Sequence, residues 1–406
     1  MKIQNIFPFN IGCGHTQETA QTPIHTTLQN GKKLDSELDN MAQLNRISIN
    51  CSKVNKLTDE FPKHKLNNYE GCLLGGAIGD ALGNPVEFYT LSQIKNMYGK
   101  NGITDLKLYN GKAQITDDTQ MTIFTADGLL KSAIEQFDED KLPNFKTVYD
   151  SYQDWLNTQY SGYKSNNKGW LANIPELYAQ RAPGTTCTGS LYNQIPGSIE
   201  HHINSSKGCG GVMRVAPAGL MYYKNPELAF EIGARCAALT HGSPSAYLPA
   251  GVHSCIIANL VQGKNIEDAV DNSIEVLKKY EGNEDTLQLI EQAKEFAKSD
   301  IEPEKAIRIL GEGWHGDEAI AISLYCVLKS PDDFEKAVIM SVNHDGDSDS
   351  TGAIVGNILG TYLGIDGIPE NWQNKIELSS ELKSLSNDLY IKPNEIESKE
   401  ERYPIY

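Results

Sequence analysis

Apolar positions recur along most of this chain with the three- and four-residue spacing of an α-helix. The segment 119–134 shows it plainly, with Met121, Ile123, Phe124, Leu129 and Leu130 falling on helical intervals. The same spacing predicts helices over 69–82, 145–158, 226–239, 246–262, 266–280, 286–297, 303–310, 317–328, 332–342 and 351–363. Several open on a capping residue or a proline, and most are followed by Gly, Pro or Asn, the usual stop signals. The segment 69–82 is made of small apolar residues and closes on Gly79-Asp80-Ala81-Leu82-Gly83, which reads as a tightly packed helix with a glycine stop. Alternating strand patterns are nearly absent, and no internal repeat stands out. The expectation is an all-α domain spanning 66–385, with polar loops near 160–210.

Two segments fall outside that pattern. Residues 1–65 are rich in Asn, Gln, Thr, Ser and Lys and hold no sustained period beyond one short helical candidate at 34–44. Such composition suggests an arm that is flexible or orders only against a partner. Residues 386–406 are charged and read as an irregular tail.

Charge and cysteine usage narrow the class. A net charge of −17 argues against non-specific nucleic-acid binding, which needs a basic face to displace counterions. The arm does not share the acidity, carrying eight Lys and Arg against six Asp and Glu. None of the eight cysteines forms a CxxC pair, so zinc and redox motifs have no support. The first residues do not read as a signal peptide, and the apolar runs 71–81 and 353–365 are too short and glycine-rich to span a bilayer. A cytoplasmic protein with free thiols and no membrane segment is expected.

Candidate chemistry sits at two predicted helix starts. One is Thr116-Asp117-Asp118-Thr119; the other is Asp345-Gly346-Asp347-Ser348-Asp349-Ser350-Thr351. Capping explains one side chain at a helix start, but not two consecutive aspartates or a D-x-D-x-D run. No Lys or Arg lies within either motif, and hard oxygen ligands suit Mg²⁺, Mn²⁺ or Ca²⁺ rather than Zn²⁺. An EF-hand calcium loop is excluded, because Ser350 stands where its glycine belongs and Gly356 where its glutamate belongs. A third feature, Gly208-Cys209-Gly210-Gly211-Val212-Met213-Arg214, could cradle an anion on its backbone N–H groups, though an ordinary loop before a helix fits as well. Arg214 suits either a phosphate or one of the many acids, and His241 taken alone reads as a satisfied polar residue at a helix end.

In order along the chain, Gly75-Gly76-Ala77-Ile78-Gly79-Asp80-Ala81-Leu82-Gly83 with Glu87, Thr116-Asp117-Asp118-Thr119, the Gly208–Arg214 loop, Leu239-Thr240-His241, Gly311-Glu312-Gly313-Trp314 and Gly346-Asp347-Ser348-Asp349-Ser350 resemble the ADP-ribosylglycohydrolase family. That group includes the dinitrogenase-reductase-activating glycohydrolases, and the resemblance covers about 68–372. It implies a compact multi-helix fold with two magnesium ions (manganese as an alternative) in a cleft. The ligands it implies are Thr116, Asp117, Asp118, Asp347, Asp349 and Ser350. It also places Gly208, Cys209, Gly210, Gly211, Met213 and His241 along the ADP-ribose and leaves Asp118, Asp347 or Glu87 as general base. The implied reaction removes ADP-ribose from modified protein side chains, through an oxocarbenium-like transition state shared with other glycoside hydrolysis. Ser350, where serine-directed members more often carry Thr, leans the linkage toward ADP-ribosyl-arginine.

Other readings stay open at this point. Some relatives act as immunity proteins against ADP-ribosyltransferase toxins, and the arm 1–65 could occupy such a toxin's cleft or be a leader without specific role. A catalytically dead structural relative would have lost metal residues that this chain keeps. A two-metal phosphatase or nucleotidase would suit the aspartates but not the other motifs.

Overall fold

The computed structural model describes residues 65–160, 169–391 and 393–405, and these are almost entirely helical. Helix α1 (Leu66–Gly83) ends in a 3₁₀ turn, Asn84–Val86, that leads into Glu87. Helix α2 (Leu91–Tyr98) and a small hairpin, β1 (Leu108–Tyr109) with β2 (Lys112–Ala113), come next. Then follow α3 (Asp117–Glu135), α4 (Phe145–Tyr160), α5 (Thr185–Tyr192) and the 3₁₀ turn Cys209–Gly211. The middle of the chain forms α6 (Ala216–Met221), α7 (Pro226–Ala238), α8 (Pro244–Val261), α9 (Ile266–Leu277) and α10 (Glu284–Lys298). It continues through α11 (Pro303–Leu310), α12 (Gly316–Lys329), α13 (Phe334–Val342) and α14 (Ser348–Leu363). The chain closes with α15 (Glu370–Gln373), α16 (Ser379–Tyr390) and α17 (Lys399–Arg402). No helix among the described residues is long and apolar enough to cross a membrane.

All eleven helices expected from periodicity are present, and α11 has the expected bounds. Those missed are short or bury few residues. Helix α2 buries only Leu91 and Ile94, and a capping box between Thr90 and Gln93 supplies what its apolar face does not. Helix α16 buries Leu382, Leu385 and Leu389 on a single stripe. It runs across position 385, where the domain was expected to end, and Ile396 and Tyr403 beyond it are buried in the core. The expected helix at 34–44, and the arm as a whole up to residue 64, lie outside the described residues.

The centre of the molecule is an antiparallel contact between α1 and α14. Gly71, Gly75 and Gly79 face Gly360, Gly356 and Gly352, so the two backbones touch with no side chain between them. A Cβ placed on Gly75 would lie 2.3 Å from the Gly356 carbonyl oxygen, and one on Gly79 would lie 1.9 Å from that of Gly352. Only glycine permits such an approach. Asn68 and Asn357 fasten the seam, donating to the Thr361 and Cys72 carbonyls at 2.8 Å each. Because the pair is antiparallel, the end of α1 meets the start of α14, and the chemistry lies there.

Candidate active site

Each aspartate motif opens a helix, and each is held by a carboxylate that also caps. At the start of α3 the Thr116 hydroxyl accepts from Asp118 N at 3.3 Å. Asp80, near the end of α1, accepts from Thr116 N at 3.0 Å, Thr119 N at 3.2 Å and the Thr119 hydroxyl. It thereby ties α1 to α3 and satisfies N–H groups that a helix start leaves free. At the start of α14 the cap is Asp347, whose Oδ1 accepts from Ser350 N at 3.2 Å. Asp349 accepts from the same N–H at 3.1 Å. Gly83 lets the two elements meet, since a Cβ there would lie 2.5 Å from the Asp349 backbone. Glu87, on the turn that follows, completes the group.

Six carboxylates therefore converge: Asp80, Glu87, Asp117, Asp118, Asp347 and Asp349, all buried. Among the described residues none of them pairs with Lys or Arg. Glu87, Asp347 and Asp349 each place an oxygen within 4.8 Å of the other two. Burial first, and then mutual repulsion centred on Asp349, raises the pKa of Asp80 to about 7 and of Glu87 to about 11. Asp118 and Asp349 are pushed well up, by burial and then by neighbouring carboxylates. Asp117 and Asp347 rise mainly by burial. Asp118 Oδ2 is buried with no hydrogen-bond partner. A donor set of this kind, all oxygen and short of positive charge, fits hard divalent cations.

Five of these carboxylates, all but Asp80, which lies behind them, form one wall of a cleft of about 390 Å³. The facing wall comes from three loops. Gly184, before α5, donates its N–H to Asp117 Oδ2 at 2.9 Å. The Cys209 thiol of the glycine-rich loop donates to Asp347 Oδ2 at 2.7 Å. His241 lies beneath that loop, and a Cβ on Gly210 would meet its ring at 3.1 Å and Cys187 Sγ at 2.7 Å. Glycine at 210 thus keeps the loop low enough for the imidazole edge to reach the cleft. Burial, and then the Arg214 charge, lowers the His241 pKa to about 3, so the ring is neutral. Phe88 and Trp314, stacked with centroids 5.8 Å apart, stand at the rim.

Of the residues expected at the site, Glu87, Asp117, Asp118, Gly208, Cys209, Gly210, Met213, His241, Asp347, Asp349 and Ser350 line this one cleft. Thr116 and Gly211 do not. Thr116 is fully buried as the α3 cap, and Gly211 packs against Ala237 of α7. The expectation that Arg214 pairs with a phosphate or an acid is corrected. It is fully buried, its Nη2 donates to Thr240 Oγ1 at 2.7 Å and the Cys236 carbonyl at 3.1 Å, and the Tyr152 ring covers it at 4.3 Å. Sequence reasoning gave no role to Asp80, Cys187 or Gly184. Asp80 alone carried a signal, as the one charged residue in the apolar stretch 71–83 of α1.

Comparison with known proteins supplies the context. The ADP-ribosylglycohydrolase family profile matches residues 62–398. The chain is 25% identical to the ADP-ribosyl-[dinitrogen reductase] glycohydrolase of Rhodospirillum rubrum, with 77% of this chain and 90% of that one covered. It is 24% identical to the ADP-ribosylhydrolase ARH3 of Mus musculus, over 80% of this chain and 91% of the relative. A solved structure described as an ADP-ribosylglycohydrolase-related protein complex shares the fold, with a TM-score of 0.55 at 23% identity, covering 81% of this chain and 98% of that one. With a match that spans every element of the cleft, the chain belongs to the ADP-ribosylglycohydrolase family and is an enzyme of that class.

Proposed function

We propose that this enzyme releases ADP-ribose from ADP-ribosylated protein side chains with two magnesium ions in the carboxylate cluster, and that its linkage is ADP-ribosyl-arginine. The observation that carries the reading is the buried, cation-free set of six carboxylates with the unpartnered Asp118 Oδ2 at its heart. Asp117, Asp118, Asp347, Asp349 and Ser350 would hold the ions, and Thr116 would support them from below as the α3 cap. Bound there, the ions would neutralise the cluster, orient ribose hydroxyls and make an attacking water more acidic.

The remaining chemistry belongs to side chains. Asp347 already accepts on both oxygens, from Ser350 N and the Cys209 thiol, and Asp118 Oδ2 is buried without a hydrogen-bond partner. Glu87, on the turn after α1, would take the proton from the attacking water once bound cations relieve the repulsion that keeps its carboxyl protonated. The low glycine loop and the neutral His241 would form the face that meets the diphosphate of ADP-ribose. For the leaving side chain, the depression beyond Trp314 is lined by Glu304, Glu312, Glu318 and Asp345, with Arg308, His315 and His344 as its basic residues. An acidic surround favours a cationic guanidinium over a neutral seryl oxygen.

The test is release of ADP-ribose from arginine- and serine-modified peptides, side by side, in Mg²⁺ and in EDTA. Turnover of the arginine peptide in Mg²⁺ alone is expected. Equal turnover in EDTA would remove the metals from the scheme, and preference for the serine peptide would reverse the linkage.

A further inference from the structure

Arg214 is fully buried and pairs with no carboxylate among the described residues, an expensive arrangement for a permanent charge. Its contacts are the Thr240 hydroxyl, the Cys236 carbonyl, the sulfurs of Met121 and Cys187 at 3.4 and 3.5 Å, and the Tyr152 ring. Two of these lead to the cleft: Cys187, which lines it and meets Arg214 only through a long sulfur contact, and Thr240, which makes the short one. Thr240 Oγ1 lies 2.8 Å from His241 Nδ1, and His241 lines the cleft wall.

Proton counting decides what that link does. A guanidinium only donates, so Thr240 Oγ1 accepts from Nη2 at 2.7 Å and keeps one proton to give. Two acceptors are in reach: His241 Nδ1 at 2.8 Å and the Ala237 carbonyl at 3.4 Å, the latter stretched for a hydroxyl bond. Donation to Nδ1 uses the short contact, and the cation behind the oxygen polarises the hydroxyl into a better donor. The ring proton then sits on Nε2, which makes no hydrogen bond among the described residues and lies 3.3 Å from where a Gly210 Cβ would stand. In the other tautomer Nε2 would turn a lone pair toward the cleft, opposite a wall of carboxylates, and would repel an anionic ligand.

We propose that Arg214 is a positioning residue, acting through Thr240 to fix His241 in the tautomer that offers an Nε2–H donor to a ligand oxygen. The ligand part rests on the ADP-ribose reading above; the tautomer part does not. Burial and the Arg214 charge keep the ring neutral, so the choice is between tautomers rather than charge states.

The experiment uses the full chain with ¹⁵N-labelled histidine and long-range ¹H–¹⁵N correlation, the His241 signals being those lost among nine histidines in His241→Asn. Free ADP-ribose is titrated calorimetrically as the probe. Wild type is expected to carry the proton on Nε2. Thr240→Val, which keeps shape and removes the hydroxyl, should move the ring toward Nδ1–H and weaken ADP-ribose binding about tenfold, as for a lost bond to a charged partner. Thr240→Ser should restore both readouts, and Arg214→Lys should shift the tautomer even where it also lowers Tm. An Nδ1–H ring in wild type, or an unchanged tautomer in Thr240→Val, overturns the proposal. If wild type shows Nε2–H but binds no ADP-ribose, the ligand reading fails while the relay is still decided by the tautomer of Thr240→Val.

Discussion

The two walls of the cleft carry opposite charges that the protein does not let meet. On one side six carboxylates are buried without a cation; behind the other, a guanidinium is buried without a carboxylate. Cys187 lies between them, lining the cleft while Arg214 Nη1 contacts its sulfur at 3.5 Å. Had Arg214 reached Asp117, both costs would have fallen and the site would have closed on itself. Keeping them apart leaves one wall needing cations and the other favouring anions. The metal ions and ADP-ribose proposed above would satisfy both.

The harshest way to break this arrangement is to remove a carboxylate that faces the cluster. Asp117→Ala and Asp349→Ala should each drop turnover to background while circular dichroism keeps the helical signal of wild type. Glu87→Gln keeps size and loses basicity, so kcat should fall by about 10²–10⁴-fold, as for loss of a general base. Calorimetry should show that this variant still binds Mg²⁺.

Removing the cations should instead expose the repulsion. Burial raises the carboxylate pKa values in the folded state, to about 7 for Asp80 and about 11 for Glu87. Without metal the native state then holds protons that the unfolded chain has released, and stability falls as pH rises from the ordinary carboxylate range through 7 and beyond. Tm in EDTA should decline from pH 5 to pH 8, and saturating Mg²⁺ should flatten that slope. At one hundred times Kd the ion adds about 2.7 kcal/mol.

Smaller effects sharpen the geometry. Gly75→Ala forces a Cβ to 2.3 Å from the Gly356 oxygen and should cost about 1–3 kcal/mol in a denaturant melt, with activity falling as α14 shifts. Cys209→Ala removes the thiol that donates to Asp347 and should lower kcat about fivefold, or ~1 kcal/mol, with Cys209→Ser recovering most of it.

What could be read in the sequence, and what could not, divides along physical lines. Helices with a long apolar face announced themselves, and so did carboxylates in excess of capping. The pairing of Gly71, Gly75 and Gly79 with Gly360, Gly356 and Gly352 did not, because four-residue glycine spacing identifies no partner. Arg214 misled for a related reason. A charged residue beside a glycine loop suggests a ligand or an acid, whereas its actual partners, Thr240 and Cys236, are neutral and lie more than twenty residues away. Asp80 was visible as a charge in the apolar stretch 71–83, but its purpose required knowing that α3 starts beside it.

The α1–α14 seam also sets an order of events for the newly made chain. The bond from Asn68 to Thr361 closes a loop of 293 residues, so that contact waits for nearly the whole polypeptide to leave the ribosome. Until then Asp80 and Asp117 exist without Asp347 and Asp349. A nascent or truncated chain therefore holds four of the six carboxylates and no complete centre. Catalytic competence arrives last in synthesis, and a late stop codon costs the enzyme as surely as an early one.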